Sequence, residues 1–316
     1  MTEIAKTIFD QYEIRKTSAQ KTAFLEYVQS LAGEMGYSCR IEKGWLGARN
    51  LVIGNPGQAK VLYTAHYDTC PVLPFPNFIT PRHMGLYLLY QLVVVMGFLF
   101  VPMIAVMILV TLAGEAMHLP EEIVVPLAVL LGYAVLIGFM LLVLAGPANH
   151  HTANDNTSGV ITLLESMAKM PPELRGQTAY VFFDLEEAGL FGSMGFASRH
   201  KKEMKDTLVV NFDCVSDGET ILLALQKKAS KYLPVLEKAF QPNDRFRVDM
   251  GSKGVFYPSD QVNFPCGVGV AALKQTKRAK ILYMDRIHTK RDTVYEAENI
   301  AYLADASVKL MALLTE

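Results

Sequence analysis

Cysteine is scarce in this chain. Its four cysteines, Cys39, Cys70, Cys214 and Cys266, are scattered with no pairing pattern, which fits a reducing compartment and offers no disulfide framework. There is no glycine-rich nucleotide loop, so the phosphate-cradling folds are excluded, and no internal repeat or low-complexity tract is present. Excess charge is also missing. With 30 Lys and Arg against 31 Asp and Glu, the chain lacks the electropositive footprint of a nucleic-acid binder. The opening stretch "MTEIAKTIFDQYEIRKTSAQ" has no apolar centre, because Glu3, Asp10 and Glu13 fall where a secretory leader would carry it.

The most informative absence is local. Met84 to Gly114 is a run of 31 residues without Lys, Arg, Asp or Glu, and Ile123 to Asn149 is a second run of 27. Each exceeds the roughly 20 residues needed to cross about 30 Å of hydrocarbon as a helix. Globular helices are rarely so long and so uniformly apolar. A transmembrane helical hairpin is therefore expected over 84–146, with the lipid bilayer as partner and Pro102 and Pro126 as kink sites. The connector "EAMHLPEE" is short and acidic, while Arg82 and His83 precede the first run, which puts both soluble segments on the cytoplasmic side. The spans carry no ionisable path of their own, which argues against transport.

The remainder reads as one α/β domain in two parts, 1–83 and 147–316. Ser18 and Gly36 bound a helix over 18–36, and another over 158–170 stops at Pro171 and Pro172. Strands are expected at 59–69, 178–184 and 207–213, a strand-like run at 280–288, and an amphipathic helix at 299–314. This alternation predicts a mixed, mostly parallel sheet flanked by helices.

Ligands of such sheets gather outside the carboxyl ends of the strands. His66 and Asp68 end the first strand, Glu186 and Glu187 follow the second, Asp213 ends the third, and His288 follows "ILYMDRI". His66 and Asp68 are two apart and share a face of an extended backbone, so one can ligate a metal while the other holds its second ring nitrogen. Several carboxylates in one cleft resist ionising together, and divalent cations remove that penalty. Two histidines with several carboxylates suit zinc, cobalt or manganese. Taken singly, each residue has an ordinary reading: Asp155 in "ANDNTSG" as a cap for the helix near Ser158, Glu186 and Glu187 as a solvated pair, His288 as a surface residue.

Taken in order, the segments "TAHYDT", "ANDNTSG", "FFDLEEAGLFGSMGF", "NFD" and "IHTKRDTVYE" resemble the zinc aminopeptidase family that includes bacterial leucyl aminopeptidases, glutamate carboxypeptidase and glutaminyl cyclases. The resemblance covers 60–83 and 147–316, with a weaker likeness in the N-terminal helix. It implies two divalent ions, with zinc expected, held by His66 and Asp213 on one side and by Glu187 and His288 on the other, with Asp155 bridging. It further implies Glu186 as general base, Asp68 as the partner of His66, and Asp292 as support for the terminal histidine. The segment "YPSDQVNF" resembles the family's substrate-side loop, where a histidine often follows Ser-Asp; here Gln261 follows Asp260. Glutamine donates a hydrogen bond but takes up no proton near neutral pH.

The larger departure is the apolar hairpin, placed between the first ligand strand and Asp155. Asp155 lies nine residues after Gly146, so even extended backbone keeps it within about 30 Å of the second span. The expected function is a membrane-anchored dinuclear aminopeptidase acting on short peptides. A carboxypeptidase, an N-acyl amino acid amidase and a catalytically silent scaffold are the alternatives, and a glutaminyl cyclase is less favoured. Oligomeric state is not legible.

Overall fold

In chain order the strands are β1 (Cys39–Lys43), β2 (Arg49–Ile53), β3 (Val61–His66), β4 (Thr178–Phe183), β5 (Leu208–Phe212), β6 (Thr220–Leu225), β7 (Arg247–Gly251), β8 (Gly267–Gln275) and β9 (Leu282–Tyr283). The main helices are α1 (Glu3–Tyr12), α2 (Ser18–Glu34), α3 (Met84–Ala116), α4 (Glu121–Ala145), α5 (Gly159–Lys169), α6 (Phe191–Arg199), α7 (Leu233–Ala239) and α8 (Ala297–Thr315). The computed structural model describes residues 1–316. Its nine strands form one mixed sheet in the order β1-β2-β4-β3-β5-β8-β6-β7, with β9 on β8. The expected α/β class is thus the observed one.

Every side chain of β3, β4 and β5 is buried, as befits central strands covered on both faces. Tyr63 and Ala65 face the larger core, formed with Phe24 and Val28 of α2, Leu163 of α5 and Leu303 of α8. Leu62 faces the smaller core beside Phe196 of α6 and Phe264. The β3 strand runs parallel to β4 on one side and β5 on the other. In register, His66 lies opposite Phe183 and Thr64 opposite Asn211, so the three carboxyl ends finish at one level.

Several boundaries differ from the sequence reading. Thr17, not Ser18, caps α2, in a reciprocal capping box with Gln20, and α2 ends at Glu34 with Gly36 beyond it at φ +81°. Only Leu282–Tyr283 of the run at 280–288 pairs as strand. The β8 strand escaped the pattern reading because Gly267 and Gly269 break its hydrophobic run. A Cβ on Gly267 would come within 2.1 Å of the Gln261 carbonyl oxygen, and one on Gly269 within 2.6 Å of the Gln261 side chain.

Between β3 and α5 the chain leaves the sheet as the antiparallel pair α3 and α4. Both are long and apolar enough to cross a membrane. Gly114 admits Val124 against the α3 backbone, where any Cβ would meet Val124 Cγ2 at 2.4 Å. The outer surface is apolar, with Leu92, Val93, Leu109 and Leu130 exposed. At 33 residues α3 extends about 50 Å, longer than a hydrocarbon layer, and its first turns rest on the α/β domain. There Tyr90 donates a hydrogen bond to the Pro76 carbonyl, and the rings of Phe78 and Tyr90 lie 5.3 Å apart. The two roots of the hairpin are fastened together, because Val72 N donates to Pro147 O and Asn149 N to Cys70 O.

Candidate metal centre

The parallel arrangement of β3, β4 and β5 brings His66, the Glu186-Glu187 turn and Asp213 to one rim. Asp155 completes the group from the turn at 153–158, and His288 from the loop after β9. The Nε2 of His66 lies 3.3 Å from Asp155 Oδ1 and 3.6 Å from Asp213 Oδ1. The Nε2 of His288 lies 3.0 Å from Asp155 Oδ2 and 3.3 Å from Glu187 Oε2. The two oxygens of one aspartate thus face two separate histidine-carboxylate groups.

The turn carrying Asp155 is held by its neighbours rather than by a helix cap of its own. Asn156 Oδ1 accepts from Gly159 N at 3.0 Å and from Cys214 N at 3.2 Å, while its amide nitrogen donates to Phe212 O at 2.9 Å. Asn154 Oδ1 accepts from Ser216 N at 2.7 Å and Asp217 N at 3.1 Å. Asn156 therefore takes the capping position at the start of α5, leaving both Asp155 oxygens turned to the histidines. A Cβ on Gly159 would sit 2.3 Å from Asn156 Oδ1, so the motif requires glycine there.

Asp292 supports this turn, not the ring of His288. Its carboxylate accepts from Asn154 N at 2.8 Å and Asp155 N at 3.0 Å. Asp68 likewise braces main chain. Its Oδ1 accepts from Glu186 N at 3.1 Å and Oδ2 from Glu187 N at 3.3 Å, while His66 Nδ1 lies 3.1 Å from the Asp68 carbonyl oxygen. Gln261 does not line the cleft. It is fully buried, donates to Tyr257 O at 2.6 Å and accepts from Asn211 at 3.3 Å. Asp260 beside it is also fully buried, and neither of its carboxylate oxygens has a hydrogen-bond partner.

Burial and neighbouring charge shift several titrations here. Burial, reinforced by the Asp155 carboxylate, pushes Glu187 up to about 8. Burial likewise lifts Asp260 to about 7 and Glu186 well above the carboxylate range. Burial opposes protonation of His288, yet Glu187 and Asp155 raise it to about 9. Burial opposes ionisation of Asp155 too, but contacts with His288 and His66 hold it below its usual range. Five carboxylates around two imidazoles form a pocket short of positive charge, and Glu187 Oε1 is buried without a partner. This donor set fits hard or borderline divalent cations.

Cys70 also stands beside this group, although no motif in the sequence points to it. Its sulfur, a Glu187 oxygen and a His288 nitrogen all lie within 4.8 Å of one another. The only sequence signal was its place two residues beyond Asp68. Also missed was Arg15, fully buried beneath the site, which donates to Tyr67 O and Tyr12 O at 2.5 Å each and to Thr157 Oγ1 at 3.1 Å.

Histidines and carboxylates gathered at the carboxyl ends of a mixed sheet are the arrangement of a metal-dependent peptidase. The chain belongs to peptidase family M28, whose family model matches residues 140–311. Its fold is similar to that of the aminopeptidase LapA of Legionella pneumophila, with a TM-score of 0.56 and 15% identity over 99% of this chain and 71% of that one. It is also similar to glutaminyl cyclase of Porphyromonas gingivalis (TM-score 0.57, 15% identity, 98% of each chain). A Zn-dependent exopeptidase of Parabacteroides distasonis gives 0.55 at 14% identity, over 98% of this chain and 97% of that one. A search of curated proteins finds no match. The family makes peptides the substrates and a zinc-type metal the cofactor.

Proposed function

We propose that the chain is a membrane-anchored dinuclear zinc aminopeptidase. The observation that carries this reading is the division of Asp155, with Oδ1 toward His66 and Asp213 and Oδ2 toward His288 and Glu187. In this reading His66 and Asp213 hold one ion, Glu187 and His288 the other, and Asp155 both. When bound, such a pair activates water, polarises the scissile carbonyl and favours the ionised form of nearby carboxylates.

Glu186 is the general base. Its carboxylate takes the proton from the attacking water and returns it to the leaving nitrogen. Asp68 is a positioning residue, because it fixes the main chain of Glu186 and Glu187 and sets the His66 ring. The cleft of about 230 Å³ is lined by Asp155, Glu186, Glu187 and Asp213 and by no Lys or Arg. A free α-amino cation suits such a surface. A substrate carboxylate would find no Lys or Arg in that lining and would have to compete for the metal ions that the reading reserves for water and the scissile carbonyl, which disfavours the carboxypeptidase reading and the hydrolysis of N-acyl amino acids.

The hairpin at 84–146 anchors the catalytic parts, 1–83 and 147–316, with the active site on the cytoplasmic face. The test is turnover of free and N-blocked peptides by zinc-loaded protein in detergent, with metal content measured alongside. Two bound ions and hydrolysis of free N-termini alone are expected. Glu186→Gln should keep its metal and lose about 10²- to 10⁴-fold in kcat. Full activity in that variant would overturn the assignment of the base.

A further inference from the structure

A second cavity adjoins the metal cleft and belongs to the hairpin. Its volume is about 290 Å³, and ten of its fifteen lining residues are hydrophobic. Val94 and Phe98 of α3, Phe139 and Val143 of α4, and Phe75 and Pro76 of the loop after β3 form its walls. Asn77 and His288 line both this cavity and the metal cleft, so the two spaces meet at a candidate ligand. The wall between them is fixed: Leu73 N donates to His288 O at 2.7 Å, and Ile79 bridges Met284. At the other end Val95, Phe98 and Leu142 are 37 to 40% exposed, on the hairpin surface that reads as lipid-facing.

We infer that this cavity is a subsite for a hydrocarbon chain of the substrate, entered from the bilayer and ending beside the scissile amide. The inference rests on the peptidase reading above and adds a substrate class to it. Volume sets the size: at about 30 Å³ for a group as large as a water molecule, the space takes on the order of ten such groups. That is a linear chain of about eight to ten carbons or one large aromatic side chain. Of the few polar groups, Tyr90 is engaged with Pro76 and Gln91 with Asn77, while His288 stands at the end shared with the metal cleft, leaving the rest of the interior apolar. A chain held there would place its attached amide toward His288 and the cleft. Two sources share this chemistry: the apolar side chain of a peptide from a membrane segment, and a fatty acyl group on an amine.

The experiment uses the full zinc-loaded chain in lipid nanodiscs. The p-nitroanilides of alanine, norleucine, 2-aminooctanoate and 2-aminodecanoate are compared, together with N-decanoyl-glycine. The expected result is a kcat/KM that rises about three- to fourfold per added methylene until the cavity is full, as burial of each CH₂ would give. Turnover of the free-amino series is expected and makes the side chain the source; turnover of N-decanoyl-glycine alone would make it the acyl group, keeping the subsite while overturning the aminopeptidase reading. Val94→Trp and Val143→Trp should collapse the ratio of long-chain to alanine substrate, while Leu109→Trp on the outer surface should leave that ratio unchanged. Turnover with a flat chain-length series would overturn the subsite and leave the peptidase reading intact. If no substrate is turned over, the peptidase reading fails separately, and 2-aminodecanoate amide tipped with a diazirine decides on the cavity. Photolabelling within 90–99 or 139–143, blocked by Val143→Trp, supports it; labelling elsewhere, or unaltered by that substitution, overturns it.

Discussion

The Asp68 Oδ1 that lies 3.6 Å from the ring nitrogen of His66 is the same oxygen that accepts the main-chain N–H of Glu186. One carboxylate oxygen thus ties the β3 end to the turn after β4. Asp68→Ala should release the main chain of Glu186 and Glu187 and remove the negative charge beside His66, while the Asp68 carbonyl that faces the ring stays; zinc affinity and kcat/KM should fall by about 10- to 100-fold. Asp68→Asn, which keeps one acceptor oxygen, should lie between. Metal titration and steady-state kinetics check this, and unchanged values for the alanine variant would remove Asp68 from the positioning role.

Asp292 acts on Asp155 through the main chain. Asp292→Ala leaves the N–H groups of Asn154 and Asp155 without their acceptor in a buried turn. We expect weaker metal binding by about tenfold or more, because Asp155 is the group shared between the two histidines. A dialysis series that follows zinc retention gives the answer, and loss of the His288-side ion alone would contradict the account.

Chelation should make stability depend on pH. Burial raises Asp292 to about 8, as it does Glu187, while Asp260 stands at about 7; His288 reaches about 9. All four are raised, so the metal-free folded chain holds protons that the unfolded chain releases. The carboxyl contributions are complete below about pH 4 and are lost as pH climbs through 7 to 8; that of His288 is complete below about 6.5 and lost towards 9. The Tm of chelator-treated protein should fall between about pH 6 and 9, and zinc should raise it most at the alkaline end. A metal-free Tm that rises over this interval would refute the direction.

Removing the buried guanidinium of Arg15 should destabilise the fold directly. Arg15→Met fills the space but strands the carbonyls of Tyr12, Glu13 and Tyr67. A loss of about 3 kcal/mol is expected in chemical denaturation of the zinc-loaded protein. A loss below about 1 kcal/mol would mean that water reaches those carbonyls.

What the sequence disclosed was set by how local each cause is. The β3, β4 and β5 strands were legible because burial on both faces leaves an uninterrupted apolar run, and the apolar hairpin announced itself by the charges it lacks. His66, Asp155, Glu186, Glu187, Asp213 and His288 were placed together by ordered motifs, and the fold brings all six to one rim. The contacts of Asp292 and Gln261 were not legible, because each is decided by which distant backbone groups pack against it. The place of Cys70 is hidden for the same reason: nothing nearby in sequence tells that Glu187 and His288 approach its sulfur.

The hairpin divides the coding order of the metal centre. His66, with Asp68 and Cys70 beside it, emerges from the ribosome before α3, and Asp155, Glu187, Asp213 and His288 after α4. The centre therefore cannot assemble until both apolar helices have been synthesised, and the hydrolytic site is completed only as the last part of the chain, with His288, appears. Nascent chains arrested before Asp155 should hold no zinc, and an arrested chain that does hold it would disprove this dependence.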